Sequence, residues 1–176
     1  MDIISYHMSL TNGQIILSYH IFGDEPNEYK FSRTYEQFAH DIDKKVYDQI
    51  HIDDARICTI KACDMLRNSN RRAKVFVCTE LVGREGFCTW DDLKAISRFH
   101  DIENHGQIHK DHSLMTYSKQ FKSIAYAKNL IDIMIGKKTR CFVPPYNQYN
   151  EDTARVCNDL SLTLVYGRVT ITNYYK

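Results

Sequence analysis

Apolar positions along the chain follow two periods in turn. Short, nearly continuous runs mark strands: "QIILSYHIF" (14–22), "QIHID" (49–53), "AKVFVCTEL" (73–81), "HDIEN" (100–104), "RCFVPPY" (140–146) and "LTLVYG" (162–167). Between them lie stretches with helical spacing. The segment 32–48 places Tyr35, Phe38, Ile42 and Val46 on one stripe, with Ser32 or Thr34 as cap. Segment 54–70 turns Ile57, Ile60 and Leu66 inward. Segment 89–99 opens on Thr89, and 150–161 on Asn150. The longest, 116–136, is expected to be capped at Thr116 and stopped at Gly136. Strands alternating with helices predict right-handed βαβ units and a parallel sheet. A (β/α) barrel and an open doubly wound sheet both fit. The tail "VTITNYYK" (169–176) is β-prone and available to pair with a neighbouring chain in a homo-oligomer.

Composition narrows the class. The 176 residues favour one domain over 1–176, and 43% hydrophobic with 26% charged residues is ordinary for a globular protein. A formal net charge of +1 gives no electrostatic case for nucleic acid or an anionic membrane. The basic clusters "NRRAK" (70–74) and "GKKTR" (136–140) read as solvated element ends. No run is long enough for a membrane span, and "MDIISYHMSLTNGQ" lacks the features of a secretory signal, so a cytoplasmic location is expected. None of the six cysteines forms a C-x2-C pair, which predicts buried free thiols and no structural zinc site.

No glycine-rich phosphate loop follows any strand, so attention moves to polar residues at strand ends, where parallel α/β folds place their sites. The second strand ends "HIDDAR". Asp54 could cap the helix that follows, with Asp53 solvated; alternatively both carboxylates face one cleft. The fourth strand ends "ENHGQIH". A helical turn from His105 to His109 would put both imidazoles on one side, whereas two exposed loop histidines is the plainer reading. His112 would fall off that face, into solvent. The fifth strand ends "FVPPYNQYN", where the prolines make either a plain tight βα turn or a rigid cleft wall that aims Tyr146 and the amides beside Pro145. One carboxylate and two imidazoles with open positions suit a divalent metal, zinc best, with cobalt or nickel as options. A second carboxylate beside them can act as base.

These stretches resemble the polysaccharide deacetylases of the NodB-homology group. "HIDDA" is similar to the family's Thr-Phe-Asp-Asp-Gly, "NHGQIHKDHSL" to its His-x3-His motif and "VPPYN" to its Arg-Pro-Pro-Tyr-Gly. "AKVFVCTELVG" looks like the family's Ala-Thr-Phe-Phe-Val strand. The resemblance covers roughly residues 15–167. It implies a distorted or incomplete (β/α) barrel, with about six to seven parallel strands alternating with helices. It implies Asp53 as catalytic base, Asp54, His105 and His109 as metal ligands, and the Tyr146 amide beside Pro145 as oxyanion donor. The implied reaction removes an acetyl or other acyl group from an N-acetylated sugar or related amide, by attack of a metal-activated water. The partner implied is a carbohydrate or acylated small molecule.

The chain also departs from the family pattern. Val143 stands where the family has the arginine that orients the base. No late Asp and Trp pair follows, since the single tryptophan is Trp90 on a helix. The Leu-x-His motif that supplies the general acid has no counterpart, and no histidine follows His112. His20, closing the first strand, and His51, on the same strand face as Asp53, are the replacement acids the sequence offers. The alternative is a catalytically degenerate member that binds carbohydrate or metal without hydrolysis.

Overall fold

The computed structural model describes residues 6–11, 14–26, 29, 31–44, 47–166 and 168–171. Its strands are β1 (Tyr6–Thr11), β2 (Gln14–Tyr19), β3 (Ile21–Gly23), β4 (Ser32–Thr34), β5 (Gln49–Asp53), β6 (Lys74–Val77), β7 (Asp101–Asn104), β8 (Cys141–Phe142), β9 (Thr163–Leu164) and β10 (Arg168–Ile171). Its helices are α1 (Tyr35–Lys44), α2 (Thr59–Asn68), α3 (Trp90–Ile96), α4 (Tyr117–Ile135) and α5 (Glu151–Asp159). The main sheet runs β10-β1-β2-β5-β6-β7-β8-β9. From β2 to β9 the pairings are parallel, and β1 joins both β2 and β10 antiparallel. The six parallel strands curl into a half-barrel, the distorted (β/α) barrel that the resemblance implies.

Burial on both faces explains why these strands read as apolar runs. On the helix side, Ile50, Ile52, Val75 and Val77 pack with Phe38, Ala62, Leu66 and Leu93. Phe142 joins Ile124 of α4 and Val156 of α5. Alternate strand residues meet on the other side, where Ile16, Phe76, Cys141, Val143 and Val165 form a separate cluster. His51 and Asp53 alternate with Ile50 and Ile52, so they share that inner face, and the His51 ring lies 4.9 Å from Phe76.

Several local expectations change. The run 14–22 divides, with β2 in the main sheet and β3 pairing β4 in a two-stranded sheet. Of the two caps proposed for α1, Thr34 serves: its Oγ1 accepts from Gln37 N at 3.1 Å, and its own N–H donates to Gln37 Oε1 at 3.0 Å. Thr89 and Asn150 cap as expected, accepting from Asp92 N and Thr153 N. Thr116 makes no capping bond with its side chain, while Gly136, at φ 75°, does end α4. Segment 54–70 enters helix only at Thr59. Of the β-prone tail, 169–171 pairs with β1 of the same chain, and 172–176 lies outside the described residues.

The six thiols are free; five are buried and Cys58 is partly so. Burial pushes Cys78, Cys88 and Cys157 up to about 12. His100 is a second buried titratable group that serves the fold. Its Nε2–H donates to the Cys63 carbonyl at 3.0 Å, and its Nδ1 accepts from Ala73 N at 3.2 Å. Both ring nitrogens are thus used by the neutral tautomer, and burial lowers the His100 pKa. The unfolded chain binds the extra proton more readily, so this contribution is complete above the unfolded value of about 6.5 and fades as pH falls below it. We expect the urea midpoint to drop from pH 7.5 to pH 5, and His100→Gln to flatten that dependence while lowering the midpoint at neutral pH.

Candidate metal centre

The centre lies beyond the C-terminal ends of β5 and β7. Just after β5 the chain turns sharply, with Asp54 at φ 67° and Ala55 at φ 51°. Aspartate tolerates the left-handed region better than most residues, which suits it to this corner. The turn is pinned by Cys88 N–H donating to the Ala55 carbonyl at 2.9 Å. Asp54 is therefore a cleft residue and not a helix cap, and α2 starts five residues later.

After β7, His105 still follows β6, its N–H donating to the Val77 carbonyl at 2.9 Å. Gly106 then turns the chain at φ 86°. Asn104, fully buried, holds this corner: its Oδ1 accepts from Gly106 N at 2.7 Å and its Nδ2 donates to the Ile124 carbonyl at 2.9 Å. The loop is stitched to the end of β6 by Thr79 N to the Gly106 carbonyl and Glu80 N to the Gln107 carbonyl. Glu80 Oε1 in turn accepts from His109 N at 3.3 Å. The expected helical turn between the two histidines is absent; a loop brings them together instead, with ring centroids 5.3 Å apart.

Asp54 Oδ1 lies 3.2 Å from His109 Nε2 and 3.6 Å from His105 Nε2. Ligand atoms of all three residues fall within 4.8 Å of one another. His105 Nδ1 donates to the Val143 carbonyl at 2.6 Å, which fixes the tautomer and turns Nε2 toward Asp54. Nε2 of His105 and Oδ1 of Asp54 are buried, with no well-aligned hydrogen-bond partner among the described residues. Buried polar atoms are rarely left so, and three converging N and O donors are what a divalent cation requires. The residues present fit a divalent cation.

Electrostatics agree with that fit. Burial pushes the His105 imidazole down to about 4, against the opposing pull of Asp53 and Asp54, so the ring is neutral and able to ligate. For Asp54, burial acts upward, but the close His109, His105 and His20 rings outweigh it and keep the carboxyl below its ordinary value. For His109, burial acts downward and the nearby Asp54 carboxylate overrides it, raising the imidazole.

Asp53 is buried beside this triad, its Oδ2 3.4 Å from His20 Nε2. The His20 ring packs against Phe31 at 4.7 Å and Tyr29 at 5.7 Å, and the His20 backbone N–H donates to the Phe31 carbonyl. His51 is deeper in the sheet, with Nε2 3.1 Å from Gln49 Oε1. At the far wall, Pro145 is buried and Tyr146 is exposed at φ 58°, its ring 4.7 Å from that of His109. His112, expected in solvent, is fully buried: Nδ1 donates to the Lys110 carbonyl at 2.9 Å, and Nε2 faces Ser123 Oγ at 3.4 Å. It is a packing residue beneath the loop. Asn104 and Glu80, which hold the histidine loop in place, are not singled out by the sequence reading; an amide side chain ending an apolar strand two residues before a glycine is the signal that could have found Asn104.

A family model for polysaccharide deacetylase matches residues 34–165. The chain belongs to the polysaccharide deacetylase family. Solved structures agree on the fold. A deacetylase PplD from Streptococcus pyogenes in complex with acetate superposes with a TM-score of 0.76 at 18% identity, covering 83% of this chain and 79% of that one. IcaB from Ammonifex degensii superposes at 0.74 with 16% identity, covering 91% of this chain and 93% of its own. A CE4 family pseudoenzyme from Bacillus anthracis matches at 0.61 with 15% identity over 67% of this chain and 42% of that chain. No curated protein sequence matches the chain.

In this deacetylase-family chain, a Cβ at Gly106 would sit 3.1 Å from His112 Cε1, at a backbone angle of φ 86° that side chains rarely adopt. Gly106→Ala should cost about 1–3 kcal/mol, read from urea midpoints, and should displace His105 and His109.

Proposed function

We propose that this chain is a metal-dependent hydrolase that removes an acetyl or related acyl group from an N-acetylated carbohydrate. The observation that carries the reading is the Asp54, His105 and His109 triad, with Asp53 buried next to it. Asp54, His105 and His109 hold the divalent cation, zinc fitting best. When bound, that cation supplies Lewis acidity toward water and the acyl carbonyl.

The remaining work belongs to the chain. Asp53 takes the proton of the attacking water. His20, 3.4 Å from Asp53, supplies a nitrogen partner for the carboxylate and returns a proton to the leaving amine. Val143 cannot orient a carboxylate, and His20, between β2 and β3, takes that part. The Tyr146 N–H, set by the rigid Pro145 turn, donates to the developing oxyanion. The exposed Tyr146 ring leaves the cleft open for a sugar.

A second reading, binding without hydrolysis, has one observation in its favour: Val143 is fully buried in an apolar cluster where the family pattern has an arginine. Zinc analysis and acetate release from N-acetylglucosamine oligomers separate the two. We expect His105→Ala and Asp54→Ala to lose bound zinc. Asp53→Asn should keep it and lose about 10²–10⁴-fold in acetate release. Zinc-loaded protein inert toward N-acetyl and O-acetyl sugars alike would favour the second reading.

A further inference from the structure

The opposite edge of the sheet carries a site of different chemistry. Lys74 begins β6, Asp101 begins β7 and Cys141 begins β8. Around these N-terminal strand ends lies a cavity of about 600 Å³. The basic clusters 70–74 and 136–140, unremarkable apart, converge on it: Arg72, Lys74, Lys137, Lys138 and Arg140 all line it. Only Asp101 and Glu103 oppose them there, so five cations meet two carboxylates in a chain whose formal net charge is only +1. At a strand rise of about 3.3 Å per residue, Asp101 is about 13 Å along β7 from His105, so this cavity is separate from the metal centre.

Part of the positive charge is already committed. Arg72 Nη2 meets Asp101 Oδ1 at 2.9 Å, and Lys138 Nζ is 3.4 Å from Asp132 Oδ2. Lys137 Nζ donates to the Ser97 carbonyl. Lys74 Nζ is 3.6 Å from Cys141 Sγ, a weak partner for an ammonium. Arg140 has no ion pair among the described residues, though its own backbone N–H is fixed by Glu103 Oε2 at 2.8 Å. Glu103 is buried, its Oε2 also accepts from Cys141 N, and its charge is felt by Lys74, which leaves Arg140 as the lining cation without a counter-charge of its own among the described residues. The lining holds no aromatic ring on which a base could stack.

We propose that this cavity binds a phosphate-bearing small molecule, with the Arg140 guanidinium and the ammonium groups of Lys74 and Lys137 as its anchors. Guanidinium forks and lysine ammonium groups match the geometry and charge of phosphate oxygens. The cavity volume is that of a small-ligand site, larger than a lone inorganic ion fills.

The test is calorimetric titration of the whole 176-residue chain with pyrophosphate. Binding should be saturable and should weaken as salt rises. Arg140→Gln, at a surface position where the fold is not at stake, should reduce affinity about tenfold or more, and Arg140→Lys should recover part of it. Pyrophosphate can also bind a metal, so the same titration on His105→Ala is the control. That variant should bind as the native chain does. Absence of binding at low salt, equal affinity in Arg140→Gln, or loss of binding in His105→Ala would each overturn the proposal.

Discussion

The hydrogen bond from His105 Nδ1 to the Val143 carbonyl, 2.6 Å long and buried, joins the ends of β7 and β8. It sets three things at once. The ring is held in one tautomer, Nε2 is turned into the cleft, and the strand leading to Pro144 and Pro145 is tied to the histidine loop. The rest of the centre is arranged around that fixed nitrogen. Asp54 reaches it only because the chain after β5 adopts a left-handed corner, and His109 only because Gly106 bends the loop back.

Val143 shows how a backbone role outlasts a side-chain role. Its carbonyl orients a proposed ligand, while its side chain packs with Ile16, Phe76, Cys141 and Val165. On the same inner face Asp53 is buried, with His20 Nε2 3.4 Å from its carboxylate and the His20 ring packed against Tyr29 and Phe31.

Much of this was legible in the amino-acid order. The parallel strands are buried on both faces and therefore read as apolar runs, and polar residues that finish such runs mark the mouth of the fold. Asp54, His105 and His109 follow such runs, and the fold brings the three together. What failed depended on contacts distant in sequence. His112 looked like a solvent-exposed loop residue, yet Ser123 of α4 and Phe142 of β8 enclose it. The spacing of His105 and His109 suggested a helical turn, but the bonds from Thr79 and Glu80 impose a loop. Adjacent acids before a helix look like a cap, and only the positive φ of Asp54 and Ala55 separates a corner from a cap. The two basic clusters, more than sixty residues apart, gave no sign that β6 and β8 would bring them to one cavity.

The buried cysteines have a consequence outside the native state. While folded, thiols pushed up to about 12 stay protonated and slow to react. Once the sheet opens, they return to about 8.5 and become available to one another and to other chains. Heating in air should then lead to cross-linked material faster than the chain can refold. The apparent melting temperature would be a rate-dependent quantity, and reversibility would depend on a reductant being present.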